Sequence, residues 1–353
     1  MATKTPATVV TGFLGAGKTT LIRHMLQNAN GRRIALIINE FGDLGVDGDI
    51  LKGCGAETCT EDDIVELSNG CICCTVADDF IPTLERLLSR PNRPDHIVIE
   101  TSGLALPQPL VRAFNWPGIS TKVTVDGVVT VVDGKAVTEG RFAHDVAAVD
   151  AQRAMDDNLD HETPLSELFD DQLACADMIV INKSDLLTGP EADALTASLR
   201  SGARKGVQIL RSTMGALPVE VLLGQNIGAE NDLAARHEIH HHHHDDEGDD
   251  HDHEHEHGHD EFESFIVARG EITNPKAFGE QVADVIRAHD ILRLKGFAAV
   301  KDKPMRLTLQ AVGPRVDVYF DRAFGATETR ETRLVVIGQA GLDRAAIEKA
   351  LLA

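Results

Sequence analysis

The residues best suited to chemistry lie in one short segment near the amino terminus. Residues 8–20 read TVVTGFLGAGKTT, which fits the phosphate-loop pattern GxxxxGK[ST]. Glycines let the backbone turn tightly so that its N–H groups reach phosphate oxygens, and the following helix directs its positive end at the same anion. An ordinary glycine-rich turn is the alternative, but an apolar run before the loop and an amphipathic pattern after it favour a nucleotide site. The expected nucleotide-binding residues of this loop are Gly12, Gly15, Ala16, Gly17, Lys18, Thr19 and Thr20.

Two of these side chains have defined expected roles. Lys18 reaches the terminal phosphates in a loop of this kind, and the Thr19 hydroxyl ligates Mg²⁺. A second motif, ETSG, comes directly after the apolar run HIVI and places Glu100 and Gly103 where a phosphate-loop enzyme has an acid near Mg²⁺ and a glycine near the γ-phosphate. The pattern is short and also arises by chance. We expect Lys18 and Glu100 to be the catalytic residues.

The tetrapeptide NKSD, directly after the apolar run MIVI, contains Asn182, Lys183 and Asp185. A fixed aspartate accepts two hydrogen bonds from the N1–H and the exocyclic amino group of guanine, whereas adenine offers no such donor pair. A surface turn is the alternative, but the position after a buried run and downstream of a phosphate loop favours guanine. We expect Asn182 to help hold the phosphate loop, Lys183 to pack along the base and Asp185 to read it.

The segment GCICC holds three thiols within four residues, at Cys71, Cys73 and Cys74. Such thiols can converge on one soft or borderline metal ion. Buried hydrophobic use explains three cysteines poorly, and the CxC spacing differs from the CxxC of redox sites. Glu40, in NEFGD, is a candidate ligand of this metal or of Mg²⁺, with helix capping as its alternative. Cys175 lies in an apolar helical pattern and is expected in the core.

The cysteine motif lies between the phosphate loop and ETSG. This is the interval in which GTPases keep the segments that respond to the γ-phosphate. A metal site in this interval can therefore change its ligand geometry when GTP is hydrolysed.

Composition excludes several functional classes. The formal charge is −22, and residues 237–263 contribute 12 acids without any Lys or Arg. A general nucleic-acid binder, which needs a basic surface, is not expected. No apolar run is long enough to span a bilayer and no secretion signal is visible, so we expect a cytoplasmic protein without a membrane partner. Six cysteines in such a chain indicate free thiols or metal ligands rather than disulfides.

Short apolar runs alternate with helical patterns over the first two thirds of the chain, which predicts a doubly wound, mostly parallel α/β sheet of the phosphate-loop type in residues 1–226. The Asp126-Gly127 pair predicts a hairpin turn within the run 123–132. Residues 227–261 are rich in His, Asp and Glu and are expected to form a disordered linker that binds divalent metals loosely or serves only as a spacer. Residues 262–353 predict a small α+β domain, ferredoxin-like or close to it.

The motifs GFLGAGKTT, NEFG, GCICC, ETSGLA and NKSD, in that order and succeeded by a His-rich segment and a small domain, resemble the CobW-type family of metal-handling GTPases. The resemblance covers essentially the whole chain. The stretch DDIVELSNGCICCTVADDFIPTL is most similar to the cobalamin-biosynthesis member of that family.

This resemblance implies that the protein binds GTP with Mg²⁺, hydrolyses it slowly and carries Co²⁺ to the cobaltochelatase of corrin synthesis. Zn²⁺ delivered to another metal-accepting client is the alternative, since the cysteine motif does not separate the two metals. A metal buffer or sensor with incidental GTPase activity is a further alternative, favoured by the histidine tract. The hypothesis is that Mg-GTP closes the thiolate site and that hydrolysis releases the ion.

Overall fold

A computed structural model describes residues 4–39, 64–67, 80–155, 164–233, 236, 262–312, 315–325 and 328–353. The chain divides into two compact units, residues 1–246 and 247–353. No helix of the described ranges is both long and apolar enough to cross a membrane.

The first unit is built on a seven-stranded sheet with the strand order β3-β2-β4-β1-β5-β6-β7, in which all recorded strand pairings are parallel. Its strands are β1 (Thr5–Thr11), β2 (Ile34–Asn39), β3 (Ile64–Leu67), β4 (His96–Glu100), β5 (Val123–Asp133), β6 (Met178–Asn182) and β7 (Gln208–Arg211). The helices are α1 (Lys18–Gln27), α2 (Ile81–Leu88), α3 (Pro107–Ala113), α4 (Gly134–Thr138), α5 (Val146–Met155), α6 (Leu165–Cys175), α7 (Gly189–Gly202) and α8 (Val219–Leu222). The predicted doubly wound α/β class is confirmed.

Central strands are buried on both faces, which explains why they read as continuous apolar runs rather than as alternating ones. Among the described residues, two apolar clusters pack against the sheet. One cluster packs Phe80, Leu84 and Leu87 against one set of strand residues, and the other packs Leu168 and Leu173 of α6 against a second set. Because all these strands run parallel, their carboxyl ends lie along one edge of the sheet, where ligand loops are expected.

The predicted hairpin at Asp126-Gly127 is wrong. β5 runs without interruption through both residues, and the register with β1 shifts between Ala7 and Thr8. The Asp126 carboxylate accepts hydrogen bonds from the N–H groups of Gly224 at 2.5 Å and Asn226 at 2.7 Å. A Cβ on Gly127 would come within 2.8 Å of the Gln225 side chain. Asp126 therefore binds the segment 224–227 where it crosses the strand, and Gly127 leaves room for that segment.

The first unit continues beyond residue 226, where the domain was predicted to end. Glu230 accepts hydrogen bonds from Thr124 Oγ1 at 2.6 Å and Val125 N at 2.9 Å. Arg236 is fully buried and donates to both carboxylate oxygens of Asp177. Residues 227–233 and Arg236 thus belong to the first unit, and the rest of the predicted linker lies outside the described residues.

The second unit is an antiparallel sheet of five strands in the order β11-β10-β9-β12-β8, with an apolar core formed against two helices. Its elements are β8 (Phe262–Arg269), α9 (Pro275–Ala288), β9 (Arg293–Ala299), β10 (Met305–Val312), β11 (Arg315–Ala323), β12 (Thr332–Gln339) and α10 (Arg344–Leu352). The predicted α+β class is confirmed. Four consecutive strands separate the two helices, so the chain order differs from the β-α-β-β-α-β of a ferredoxin-like domain.

Candidate functional site

The phosphate-loop segment connects β1 to α1, at the carboxyl edge of the sheet. Gly12, Gly15 and Gly17 have φ values of 134°, 75° and 103°, which side-chain-bearing residues rarely adopt. A Cβ on Gly12 would lie 2.1 Å from the carbonyl oxygen of Val131. The sequence therefore needs glycine at this position for two reasons, backbone conformation and close approach to β5.

Lys18 is the first residue of α1 and is 8% exposed. Its ammonium donates hydrogen bonds to the carbonyl oxygens of Gly12 at 2.9 Å and Phe13 at 3.4 Å, so the charge lies over the loop. The N–H groups of the first turn of a helix have no partner within the helix, and those of α1 point to the same region. Together these groups form a positive cradle suited to phosphate oxygens.

Thr19 and Glu100 meet across the sheet edge. The Thr19 hydroxyl donates to Glu100 Oε1 at 3.2 Å, and Glu100 is 4% exposed. A hydroxyl and a carboxylate at this separation are the hard oxygen ligands that Mg²⁺ takes alongside phosphate and water. The two side chains fit a Mg²⁺ ion bound with the nucleotide.

Gly103, three residues after Glu100, packs directly on the phosphate loop. A Cβ at this position would lie 2.7 Å from the backbone nitrogen of Leu14. The start of the ETSG loop is fixed by Thr101, whose N–H donates to the carbonyl oxygen of Val10 at 3.0 Å and whose hydroxyl donates to Thr11 Oγ1 at 3.0 Å. The structure thus brings the ETSG motif and the phosphate loop into contact.

Asn182, the last residue of β6, joins two loops. Its Nδ2 donates to the carbonyl oxygen of Ala16 at 2.9 Å, and its Oδ1 accepts from the N–H of Gly215 at 3.0 Å. A Cβ on Gly17 would come within 2.1 Å of the same Asn182 amide. The buried side-chain amide of Asn182, through its hydrogen bonds to main-chain groups, therefore holds the NKSD motif against the phosphate loop.

Lys183 has a left-handed backbone conformation, with φ at 60°, and its ammonium lies 2.5 Å from Asp133 Oδ2. Asp133 is 1% exposed and also accepts a hydrogen bond from Ala136 N, as the N-cap of α4. This ion pair fixes the direction of the lysine stem. No motif of the sequence indicated the Asp133 contact, although the carboxyl end of β5 is adjacent to that of β6.

The phosphate loop and the NKSD motif line one cavity of about 530 Å³, a volume in the usual range for small-molecule sites. Its predicted lining residues are Gly15, Gly17, Lys18, Thr19, Thr20, Asn182, Lys183 and Asp185, joined by Leu14, Arg23, Leu186 and Met214. Gly12, Ala16, Glu100 and Gly103 are not among these lining residues, but each of them contacts one: Lys18, Asn182, Thr19 and Leu14, respectively. Arg23 and Met214 were missed; Met214 comes after the carboxyl end of β7, a position that marks it as part of a loop at the ligand edge.

The predicted metal ligands Glu40, Cys71, Cys73 and Cys74 lie outside the described residues. Within the described ranges, no group of three His, Cys, Asp or Glu side chains is placed to hold a metal ion. The described strands that precede these predicted ligands, β2 before Glu40 and β3 before the cysteine motif, show where the chain enters both segments. Ile38 of β2 pairs with Glu100, and Leu67 of β3 pairs with Asn39, so both strands end at the edge that carries the nucleotide loops.

Comparison with known proteins gives matches over both units. Residues 6–210 match the family model described as CobW/HypB/UreG, nucleotide-binding domain, and residues 262–353 match the cobalamin synthesis protein cobW C-terminal domain. A protein named zinc chaperone CobW from Sinorhizobium sp is 60% identical over 99% of this chain and 97% of its own length. A protein of the same name from Pseudomonas aeruginosa is 52% identical over 99% of this chain and 91% of its own length. The Zn(II)-bound YjiA GTPase from E. coli matches 99% of this chain and 98% of its own at 23% identity, with a TM-score of 0.41.

Proposed function

The chain belongs to the CobW/HypB/UreG family of phosphate-loop GTPases, and from that premise we propose that it is a metallochaperone in which the bound guanine nucleotide controls the affinity for a zinc ion. One observation carries the proposal. The chain enters the two segments that contain Glu40 and the cysteine motif at the carboxyl ends of β2 and β3. That edge of the sheet also holds the phosphate loop and Glu100.

The nucleotide half of the mechanism rests on the residues around the cavity. Lys18 neutralises charge on the terminal phosphates, and Thr19 and Glu100 would hold a Mg²⁺ ion that would offset further phosphate charge. Asp185 accepts hydrogen bonds from the guanine edge, while Asn182 keeps that loop in register with the phosphate loop. Gly103 supplies a backbone N–H close to the γ-phosphate, so the ETSG loop is the part of the site that distinguishes GTP from GDP.

The metal half rests on the thiols. Cys71, Cys73 and Cys74 bind the ion as thiolates, and Glu40 is the candidate fourth ligand. Loss of the γ-phosphate changes the loops that lead into this motif, and the ion then passes to a metal-accepting client protein. Because linkage is reciprocal, the metal must strengthen GTP binding by the same factor by which GTP strengthens metal binding.

Zinc is favoured over cobalt as the metal carried. The relatives at 60% and 52% identity are both named zinc chaperones. Thiolate ligands and the Irving–Williams order also favour zinc over cobalt. Delivery of Co²⁺ to a cobaltochelatase, the more specific prediction from the sequence, stays a prediction. A competition titration of Zn²⁺ against Co²⁺ on the GTP-bound protein tests this preference, and retention of Co²⁺ at equal free concentrations of both ions would contradict it.

The cysteine assignment is tested by Cys73→Ser, with Cys175→Ala as the matched control. Cys175 is 2% exposed within the core of the first unit, so removing its thiol tests the loss of a cysteine without touching the motif. We expect Cys73→Ser to weaken Zn²⁺ binding by at least about tenfold, and Cys175→Ala to leave it unchanged. Equal effects of the two substitutions would contradict the assignment.

Deleting residues 237–259 separates a carrier from a buffer. This tract holds 11 of the 16 histidines, and a buffer that depends on them loses its function without them. A nucleotide-gated carrier keeps most of its zinc transfer to an acceptor chelator. Transfer that disappears with the tract and survives Cys73→Ser would establish the buffer instead.

A further inference from the structure

Gln172 is a fully buried residue of α6 that contacts the ETSG loop. Its Nε2 donates hydrogen bonds to the carbonyl oxygens of Gly103 at 3.1 Å and Ala105 at 3.2 Å. Its main-chain carbonyl oxygen accepts from Thr130 Oγ1 at 3.0 Å, which ties the same turn of α6 to β5. One side-chain amide thus holds the far half of the loop to a helix that is anchored on the sheet.

The two hydrogen bonds of Gln172 provide a second point at which the loop around Gly103 is attached to the rest of the unit. Thr101 fixes the start of the loop on β1, and Gln172 fixes the next part of it. Between these points the backbone of Gly103 lies against Leu14, so close that a Cβ would come within 2.7 Å of Leu14 N. A loop held at both ends needs little reorganisation to present an N–H to a phosphate, which lowers the entropic cost of binding.

We propose that Gln172 is a positioning residue that presets Gly103 against the phosphate loop and thereby sets how strongly the protein prefers GTP over GDP. The inference rests on the nucleotide-binding half of the proposed function and does not involve the transition metal. The proposed function places the N–H of Gly103 close to the γ-phosphate, which GDP lacks, so the affinity for GDP should depend little on this loop. The loss of Gln172 must therefore act on GTP selectively.

The test compares Gln172→Met with Gln225→Met, using the full-length protein. Gln225 is a matched control because it is also buried and donates to two carbonyl oxygens, those of Val221 at 3.4 Å and Leu222 at 3.3 Å. For both amides the Oε1 atom is buried without a hydrogen-bond partner in the part of the chain that the structure describes. Gln225 lies beside Met178, the first residue of β6, and so at the opposite edge of the sheet from the nucleotide.

The quantity measured is the ratio of the GDP and GTP dissociation constants, with a non-hydrolysable GTP analogue and Mg²⁺ but without transition metal. Two lost hydrogen bonds predict that Gln172→Met lowers the preference for GTP about fivefold to a hundredfold, while Gln225→Met leaves it unchanged. General destabilisation would affect both nucleotides and both variants alike. An unchanged ratio in Gln172→Met, or an equal fall in Gln225→Met, overturns the proposal.

Hydrogen exchange of the wild-type protein provides a measurement that does not depend on a variant folding. Because Gln172 joins the loop to α6, the amides of Leu165–Cys175 should exchange more slowly with the GTP analogue than with GDP. Equal protection in the two states, or equal wild-type affinity for the two nucleotides, overturns the inference. Neither outcome bears on whether metal affinity depends on nucleotide, so the two proposals fail separately.

Discussion

At the scale of single residues, the site depends on side chains that hold main-chain groups as much as on those that face the ligand. Asn182 supports Ala16 and Gly215, Asp133 fixes the stem of Lys183, and Asp185 lines the cavity. The NKSD motif therefore contains two residues with structural contacts, Asn182 and Lys183, and one residue, Asp185, that the proposed function assigns to the base. The effects of substitutions within the motif on nucleotide binding should therefore differ in kind as well as in size.

Asp185→Asn should change base preference rather than abolish binding. The amide of Asn has one acceptor oxygen and one donor NH₂ group in place of two charged acceptors, so one donor of guanine loses its acceptor and GTP affinity should fall at least about tenfold. Xanthine, which has a carbonyl where guanine has its amino group, should gain relative affinity. Fluorescence titration with GTP and XTP checks this, with Asp193→Asn as the control for an exposed aspartate of the same unit. Unaltered GTP affinity in Asp185→Asn would contradict the assigned role.

Cys175 should be chemically inert in the folded protein. Burial raises the pKa of its thiol to about 11, so the reactive thiolate is scarce at neutral pH. Folding favours the neutral thiol, so the protonated Cys175 contributes to the free energy of unfolding. This contribution should be complete below pH 9.0, the ordinary pKa of a thiol, and should fall as pH rises toward about 11. Alkylation and subsequent mass spectrometry should leave Cys175 unmodified in the native state and modify it after denaturation. Rapid native modification would show that the thiol is accessible.

At the scale of elements, the sequence predicted the features set by local periodicity and missed those set by packing between distant segments. Continuous apolar runs correctly indicated buried parallel strands, because both faces of such a sheet are covered. The Asp126-Gly127 pair misled, since its local preference for a turn gave way to contacts with residues 224–226, about a hundred positions later in the chain. Arg23, Met214 and Gln172 were missed for the same reason, as their roles depend on tertiary neighbours.

Gly12→Ala tests the phosphate loop as an element. The added Cβ would meet Val131 O at 2.1 Å in a backbone conformation that disfavours any side chain, so the loop must move and GTP affinity should fall at least about 100-fold. Gly31→Ala is the control, because Gly31 also has positive φ but no atom lies within 4 Å of its Cβ position. That variant should lose only about 1–2 kcal/mol of stability and bind GTP normally. Similar GTP binding by the two variants would refute the packing argument.

At the scale of the whole molecule, the sequence defined two units and their fold classes but not the end of the first. The boundary was placed where apolar periodicity ends, at residue 226, whereas the polar residues Glu230 and Arg236 continue the unit through buried hydrogen bonds. Hydropathy does not register such contacts. The metal ligands, which rest on thiol spacing, on the position of Glu40 and on the family resemblance, stay a prediction.

The central claim is that a guanine nucleotide and a thiol-bound ion affect each other through neighbouring loops. The most direct measurement is the Zn²⁺ dissociation constant, obtained by competition with a chromophoric chelator, for the protein with Mg²⁺ and a non-hydrolysable GTP analogue, with Mg-GDP and without nucleotide. We predict that the GTP analogue tightens Zn²⁺ binding about fivefold to a hundredfold relative to GDP, the range of typical coupling free energies. The same dissociation constant in all three states would contradict the account.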